Sequence, residues 1–147
     1  MNRIGRGNRM AETFYLEMIA SERKFYTGPC EEIVFPAMDG LRGVLPGHEA
    51  MVTALEAGEM KFKVEGEWRY VAVSDGFVEI MPKTVVLLAD TIERPDEIDI
   101  NRANEAKVRA EERMRQKQSI KEYYQTQASL NRAINRLKVT ARHTHNI

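Results

Sequence analysis

The 147-residue chain has little cysteine, no long apolar run and no net charge, and each of these excludes a class of protein. Its single cysteine, Cys30, cannot form an internal disulfide, which fits a reducing compartment. No apolar run approaches the roughly 20 residues that cross a bilayer, and no apolar segment of a secretory signal follows the basic start MNRIGRGNR. The formal net charge is zero, so the composition predicts binding neither to nucleic acid nor to an anionic membrane.

Glycine and proline are absent from the last third of the chain. All nine glycines lie before residue 80, and all five prolines lie at or before Pro95. Charge changes at the same place, because residues 1–92 contain 10 basic and 14 acidic groups whereas residues 93–147 contain 12 and 8. The two compositions predict two modules that are joined near residues 93–96.

The first module has the alternation of half-buried β-strands. Apolar and polar residues alternate along residues 14–19 and 59–64. Glu65-Gly66-Glu67 and Ser74-Asp75-Gly76 each predict a hairpin turn, the second because Asp-Gly tolerates positive φ. Short strands separated by such turns predict an antiparallel β-sandwich.

The second module has the composition of two helices. Good helix formers dominate after Asp99, which together with Asp96 is a candidate cap, and Ser119 is a candidate cap for a second helix after a break at 116–119. The first helix has a stripe of mostly small residues, which we expect to face a bulkier stripe on the second. The small stripe is Ala103, Ala106, Ala110 and Met114, and the bulky one is Ile120, Tyr123, Tyr124, Leu130, Ile134 and Leu137. A hairpin of two such helices buries little surface, which makes it a candidate moving part.

No catalytic or metal-binding motif is complete. His48-Glu49 resembles the start of the zinc motif HExxH, but Val52 occupies the position of the second histidine. The sequence contains no GxxxxGK[ST] phosphate loop, and we interpret His143 and His145 as part of a solvated tail. These patterns predict a protein that is not an enzyme and has no metal site.

Four arginines of the second module have a spacing that favours a shared site. Arg102 and Arg109 lie seven residues apart on nearly one helical face, and Arg132 and Arg136 share a face of the second helix. If the hairpin closes, their guanidinium groups converge around Asp99 and suit the phosphates of a nucleotide. The alternative is solvated charge that is paired along each helix. The candidate pairs are Glu105–Arg109 and Glu111–Arg115.

Three stretches carry a resemblance to a known family. They are Gly40-Leu-Arg-Gly-Val-Leu-Pro-Gly-His48, Val73-Ser-Asp-Gly-Phe-Val-Glu-Ile80 and Ile98-Asp-Ile-Asn-Arg-Ala103. With the order and length of both modules, they resemble the epsilon subunit of the bacterial F-type ATP synthase. The resemblance implies a sandwich followed by a helical hairpin, in a non-catalytic subunit of the central stalk. It also implies the gamma subunit and the c-subunit ring as partners, in a rotor that couples proton translocation to ATP synthesis.

The resemblance further implies a mobile hairpin. A compact form lies on the sandwich, and an extended form lies along gamma and inhibits ATP hydrolysis by the catalytic alpha/beta head. No cofactor is implied as required, but ATP is implied as a regulatory ligand of the compact form, through a signature I/L-D-x-x-R-A and further charged groups. The matching positions are Glu93, Ile98, Asp99, Arg102, Ala103, Arg109, Arg132 and Arg136.

The Gly/Pro-rich loop of the first module is the expected docking site. Gly43, Pro46 and Gly47 are predicted to fix a tight path that presents Leu45 and His48 at the surface. The resemblance implies that the surrounding surface meets gamma and the c-ring. It places the protein peripherally at the cytoplasmic face of the bacterial cell membrane, with membrane contact only through the complex.

The expected organisation has three parts. We predict a disordered extension at residues 1–9, a β-sandwich domain at residues 10–94 and a helical hairpin domain at residues 95–147. Two alternatives stay open for the function. One is a structural coupling and inhibitory subunit without ATP sensing, and the other is a stand-alone nucleotide-binding protein.

Overall fold

The structure, a computed structural model, describes residues 12–143. The predicted extension at residues 1–9 lies outside this range. Ten strands form two five-stranded sheets, and two α-helices follow them. The predicted β-sandwich followed by a helical hairpin is therefore confirmed.

The ten strands are short and are distributed between two sheets. They are β1 (Phe14–Ala20), β2 (Lys24–Cys30), β3 (Glu32–Ala37), β4 (Gly40–Val44), β5 (Met51–Leu55), β6 (Gly58–Val64), β7 (Glu67–Val73), β8 (Gly76–Ile80), β9 (Thr84–Ala89) and β10 (Ile92–Glu93). Sheet A has the order β2-β1-β9-β8-β5, and sheet B has the order β10-β7-β6-β3-β4. Neighbouring strands run antiparallel with one exception, since β1 runs parallel to β9.

The core lies between the two sheets and consists of the inward half of each alternating strand. Leu16 and Phe62, both on strands predicted by alternation, are almost completely buried, as is Phe35 of β3. Cys30 is buried at the end of β2, and this burial raises the pKa of its thiol. One continuous hydrophobic core therefore supports both sheets.

The two predicted turns have different roles. Glu65 and Gly66 join β6 to β7 with φ of 51° and 80°, so this hairpin turn is confirmed and uses two left-handed residues. The prediction of a hairpin at Ser74-Asp75-Gly76 is wrong, because β7 belongs to sheet B and β8 to sheet A. Gly76 is required there for close approach, since a Cβ would lie 1.8 Å from the carbonyl oxygen of Leu88.

Two helices follow the sandwich, and both begin at a side-chain cap. A 3-10 turn at Pro95–Glu97 leads into α1 (Ile100–Met114), which is followed by α2 (Ile120–His143). Asp99, rather than Asp96, caps α1, since its carboxylate accepts a hydrogen bond from the backbone N–H of Arg102 at 3.1 Å. The predicted cap at Ser119 is confirmed, because its hydroxyl accepts from the backbone N–H of Glu122.

The two helices pack through small residues on both sides. The buried positions are Ala103 and Ala110 on α1, and Thr126, Ala133, Val139 and Thr140 on α2. The prediction that a bulky stripe faces the small one is wrong for the first half of the stripe, because Ile120 is 77% exposed and Tyr124 is 64% exposed. The second half, Leu130, Ile134 and Leu137, is half-buried. Short side chains at the buried positions of both helices let the helix axes approach closely.

The hairpin lies against the outer face of sheet B. Helix α2 contacts β6 and β7, and Val139 forms a small buried cluster with Ala72 and Ile98. The amide of Asn135 donates a hydrogen bond to the carbonyl of Gly58 at 3.2 Å. The structure therefore shows a compact arrangement in which the hairpin is folded onto the sandwich.

Candidate functional site

A cavity of about 240 Å³ opens where the end of the sandwich meets the two helices. It is lined by Glu93, Glu97, Asp99, Arg102, Ala103, Ala106, Arg109 and Arg136. Of the eight residues predicted to bind ATP, six line this cavity, all except Ile98 and Arg132. The fold thus brings together side chains from β10, from the start of α1 and from α2.

The remaining two predicted residues lie nearby in different roles. Arg132 lines a neighbouring groove of about 570 Å³ between the helices, and Arg109 and Arg136 line both spaces. Ile98 does not line the cavity, because its side chain is buried against Ala72 and Val139. Its position indicates a packing role that fixes the start of α1 on the sandwich.

Each carboxylate of the cavity already has a partner. Arg136 Nε donates to Glu93 Oε1 at 2.6 Å. Glu97 accepts from Arg23 at 2.9 Å, and this hydrogen bond holds the pKa of the Glu97 carboxyl below its usual value. Asp99 is engaged as the helix cap. The acidic groups are therefore committed to contacts that hold the elements of the site together.

Three arginines of the two spaces, Arg102, Arg109 and Arg132, are less committed than Arg136, which is paired with Glu93. Between residues 12 and 143, the guanidinium groups of Arg102 and Arg109 form no ion pair, and Arg132 donates to the Ser129 hydroxyl at 3.0 Å. Neither candidate pair along α1, Glu105–Arg109 or Glu111–Arg115, forms an ion pair in this part of the chain. Such donors are suited to the oxygens of a bound phosphate.

The Gly/Pro-rich loop lies at the end of the sandwich away from the hairpin joint. Gly47 has φ of 86° and donates its N–H to the carbonyl of Pro82 at 2.9 Å, while the N–H of His48 donates to the carbonyl of Leu45. The loop presents Leu45, which is 58% exposed. Gly43, by contrast, is an ordinary residue of β4 with room for a side chain, so Pro46 and Gly47 shape the loop without it.

Sequence reasoning missed an apolar band on the outer face of sheet A. Register places Ile19 beside Leu88, Leu88 beside Phe77, and Phe77 beside Ala54. Phe77 is 60% exposed, and the helices lie on the other sheet. The sequence of β9, TVVLLA, contained a signal for this band. Its apolar residues lie on both faces of the strand, which predicts that both faces are covered.

His143 contacts sheet B, which the sequence did not predict. The prediction of a solvated tail is wrong for this residue, since its ring stacks on Tyr70 with 4.1 Å between centroids and its Nε2 contacts the carboxylate of Glu59. His145 lies outside the described residues.

Comparison with known proteins assigns the two modules to one family. Residues 13–95 match the family model described as ATP synthase, Delta/Epsilon chain, beta-sandwich domain. Residues 96–141 match the model of the long alpha-helix domain of the same chain. The chain belongs to the ATP synthase delta/epsilon chain family.

Relatives from bacteria agree with this assignment. The chain is 45% identical to the ATP synthase epsilon chain of Ruminiclostridium cellulolyticum over 88% of its own length and 97% of that protein. It is 42% identical to the epsilon chain of Caldanaerobacter subterraneus over 91% and 98% of the two lengths. These relatives identify a non-catalytic subunit of the ATP synthase and favour it over a stand-alone nucleotide-binding protein.

Solved structures with low sequence identity share the fold. A chain of the Euglena gracilis mitochondrial ATP synthase, from a structure of OSCP/F1/c-ring, has a TM-score of 0.74 at 22% identity, covering 92% of this chain and 84% of that one. A chain from the central stalk/c-ring of the Tetrahymena thermophila enzyme has a TM-score of 0.61 at 12% identity, with 88% and 98% covered. None of the helices within residues 12–143 has the length and apolar character needed to span a membrane.

Proposed function

We propose that this epsilon chain is a rotor subunit with an ATP-sensing hairpin. It couples proton translocation to ATP synthesis, its extended hairpin inhibits ATP hydrolysis by the alpha/beta head, and its compact hairpin binds ATP. The observation that carries ATP binding is the cavity between β10, α1 and α2, with the guanidinium groups of Arg102 and Arg109 unpaired by any described carboxylate.

The proposed binding mode uses the arginines as phosphate ligands. Arg102 and Arg109 on α1 and Arg132 on α2 face the two adjoining spaces, so a polyphosphate chain would bridge the helices. Arg136 would exchange its contact with Glu93 for a phosphate oxygen. A ligand that needs both helices and the sandwich binds the compact form alone, and at a hundred times its dissociation constant it favours that form by about 2.7 kcal/mol.

The proposed partners are gamma and the c-ring. The apolar band of Ile19, Leu88, Phe77 and Ala54 suits a partner that covers sheet A, and the loop at Leu45 to His48 projects from one end of the sandwich. The Euglena structure contains F1 and the c-ring, and the Tetrahymena one contains the central stalk and c-ring. We propose the same setting here, at the cytoplasmic face of the bacterial cell membrane.

Calorimetry with the purified full-length chain tests the ATP site. We expect wild type to bind ATP, and Arg102→Ala to weaken binding at least tenfold through the loss of a charge-assisted contact. Arg115→Ala is the matched control, because Arg115 is an exposed arginine at the end of α1 that lines neither space. Absence of binding in wild type, or equal binding by Arg102→Ala, contradicts the proposal.

The charge balance of the cavity favours a second candidate. Its lining contains three arginines and three carboxylates, so it has no net positive charge to attract a polyphosphate. A coupling and inhibitory subunit without ATP sensing would use the same groups only to hold the compact form together. The calorimetric result for wild type separates the two candidates.

A further inference from the structure

The last turn of α2 makes a cluster of contacts with sheet B. Arg142 donates to one carboxylate oxygen of Glu59 on β6, and His143 contacts the other. The His143 ring stacks on Tyr70 of β7 at an interplanar angle of 18°. The side chains of Glu59 and His143 are only 20% and 18% exposed. We propose that Glu59, Tyr70, Arg142 and His143 form a C-terminal latch that holds the hairpin in its compact position without nucleotide.

The C-terminal latch is separate from the candidate ATP site. None of its four residues lines the cavity or the groove. His143 lies seven residues beyond Arg136, which is about 10 Å along the helix axis. The latch rests on the proposed function only in requiring that the hairpin can leave the sandwich, and it requires no ATP binding.

The C-terminal latch adds to other contacts between α2 and the sandwich, and it is the one at the end of the helix. Among residues 12–143, the other contacts include the small cluster around Val139, the hydrogen bond from Asn135 to Gly58, and the ion pair of Arg136 with Glu93. Charge-assisted hydrogen bonds to a partly buried carboxylate are among the stronger polar contacts of a protein. Two of them converge on Glu59, so its charge controls whether the end of α2 stays docked.

The latch also sets the apparent affinity for any ligand of the compact form. When only a fraction of molecules is compact, the apparent dissociation constant rises by the inverse of that fraction. A broken latch therefore weakens ATP binding without touching a ligand contact. In the complex it would favour the inhibitory form at ATP concentrations that keep wild type compact.

A distance measurement on the nucleotide-free, full-length chain tests the latch. Spin labels at Glu67→Cys and Lys138→Cys, both exposed positions, report on docking of α2, and Cys30 needs no replacement because it is buried. Glu59→Gln should raise the population with long distances relative to the docked population about tenfold. His143→Leu, at the helix end, should have the same direction of effect while leaving the sandwich intact.

Two comparisons make the test specific. Glu79→Gln removes an exposed carboxylate from β8 on sheet A, away from the hairpin, and should leave the distances unchanged. In the Glu59→Gln background, His143→Leu should add less than it does alone, since the contact with Glu59 is already lost and only the stack on Tyr70 remains to be removed. Unchanged distances in Glu59→Gln, or an equal effect of Glu79→Gln, overturn the latch. A chain that binds no ATP but responds to Glu59→Gln refutes the sensor and supports the latch.

Discussion

The sandwich and the hairpin differ in what they bury. The sandwich encloses large side chains such as Phe35, Phe62 and Leu16, whereas the contact between the helices is built from residues such as Ala110 and Ala133. Because hydrophobic stabilisation scales with the apolar area removed from water, the sandwich has its own stability and the hairpin depends on its support. The sandwich is therefore a stable platform, and the hairpin is a part that can move at a small cost in free energy.

The largest expected effect is a cavity in the platform. Phe35→Ala should lower the free energy of unfolding by about 3–5 kcal/mol, since it removes a fully buried ring between two sheets. Denaturant titration followed by fluorescence of Trp68, the single tryptophan, measures it. Phe77→Ala on the outer face of sheet A is the matched control and should cost under about 1 kcal/mol in the isolated chain. Equal losses of unfolding free energy in the two variants would show that the inner and outer faces of the sandwich do not differ in burial.

A smaller effect should follow from overpacking the hairpin. Ala133→Leu inserts three carbons at a position that is 1% exposed, and we expect it to destabilise the packing of α2 by about 1–3 kcal/mol. Hydrogen exchange of residues 120–143 should increase while the unfolding of the sandwich, followed at Trp68, stays unchanged. Ala128→Leu, at an exposed position of the same helix, should change neither. If Ala133→Leu also destabilised the sandwich, as measured at Trp68, the division into platform and moving part would be contradicted.

Local features were predictable from the sequence because neighbouring residues determine them. The cap at Ser119 needs only Glu122 three residues later, and the turn at Glu65-Gly66 needs only residues that accept positive φ. The same locality explains the error at Asp75-Gly76. This dipeptide permits a hairpin, but the close approach of Leu88 that requires the glycine is a tertiary contact.

Features that depend on distant partners were only partly predictable. Helical spacing placed Arg102 and Arg109 on one face, and the fold brings both to the cavity with Asp99. The sequence did not predict which face of α2 packs inward. Large apolar side chains of that helix, such as Ile120, are exposed, whereas small ones, such as Ala133, are buried. The contact of His143 with Glu59 joins residues 84 positions apart, and nothing near either residue indicates the other.

The smallest expected effect concerns the ion pair that joins the sandwich to the 3-10 turn before α1. Arg23 of the sandwich donates to Glu97 of the 3-10 turn and keeps the pKa of that carboxyl below its usual value. A carboxyl with a lowered folded pKa adds stability above its unfolded pKa, about 4.3, and this stability is lost as the pH falls through the folded pKa.

The comparison of wild type with Arg23→Gln measures this contribution. Both side chains are partly exposed, so the difference in unfolding free energy should be under about 1 kcal/mol at pH 7 and should shrink toward zero at pH 3. Arg115→Gln, an exposed arginine without an ion pair among residues 12–143, should show no such pH-dependent difference. A difference that persists at pH 3 would mean that Arg23 acts through its other hydrogen bond, to the carbonyl of Ile92, rather than through Glu97.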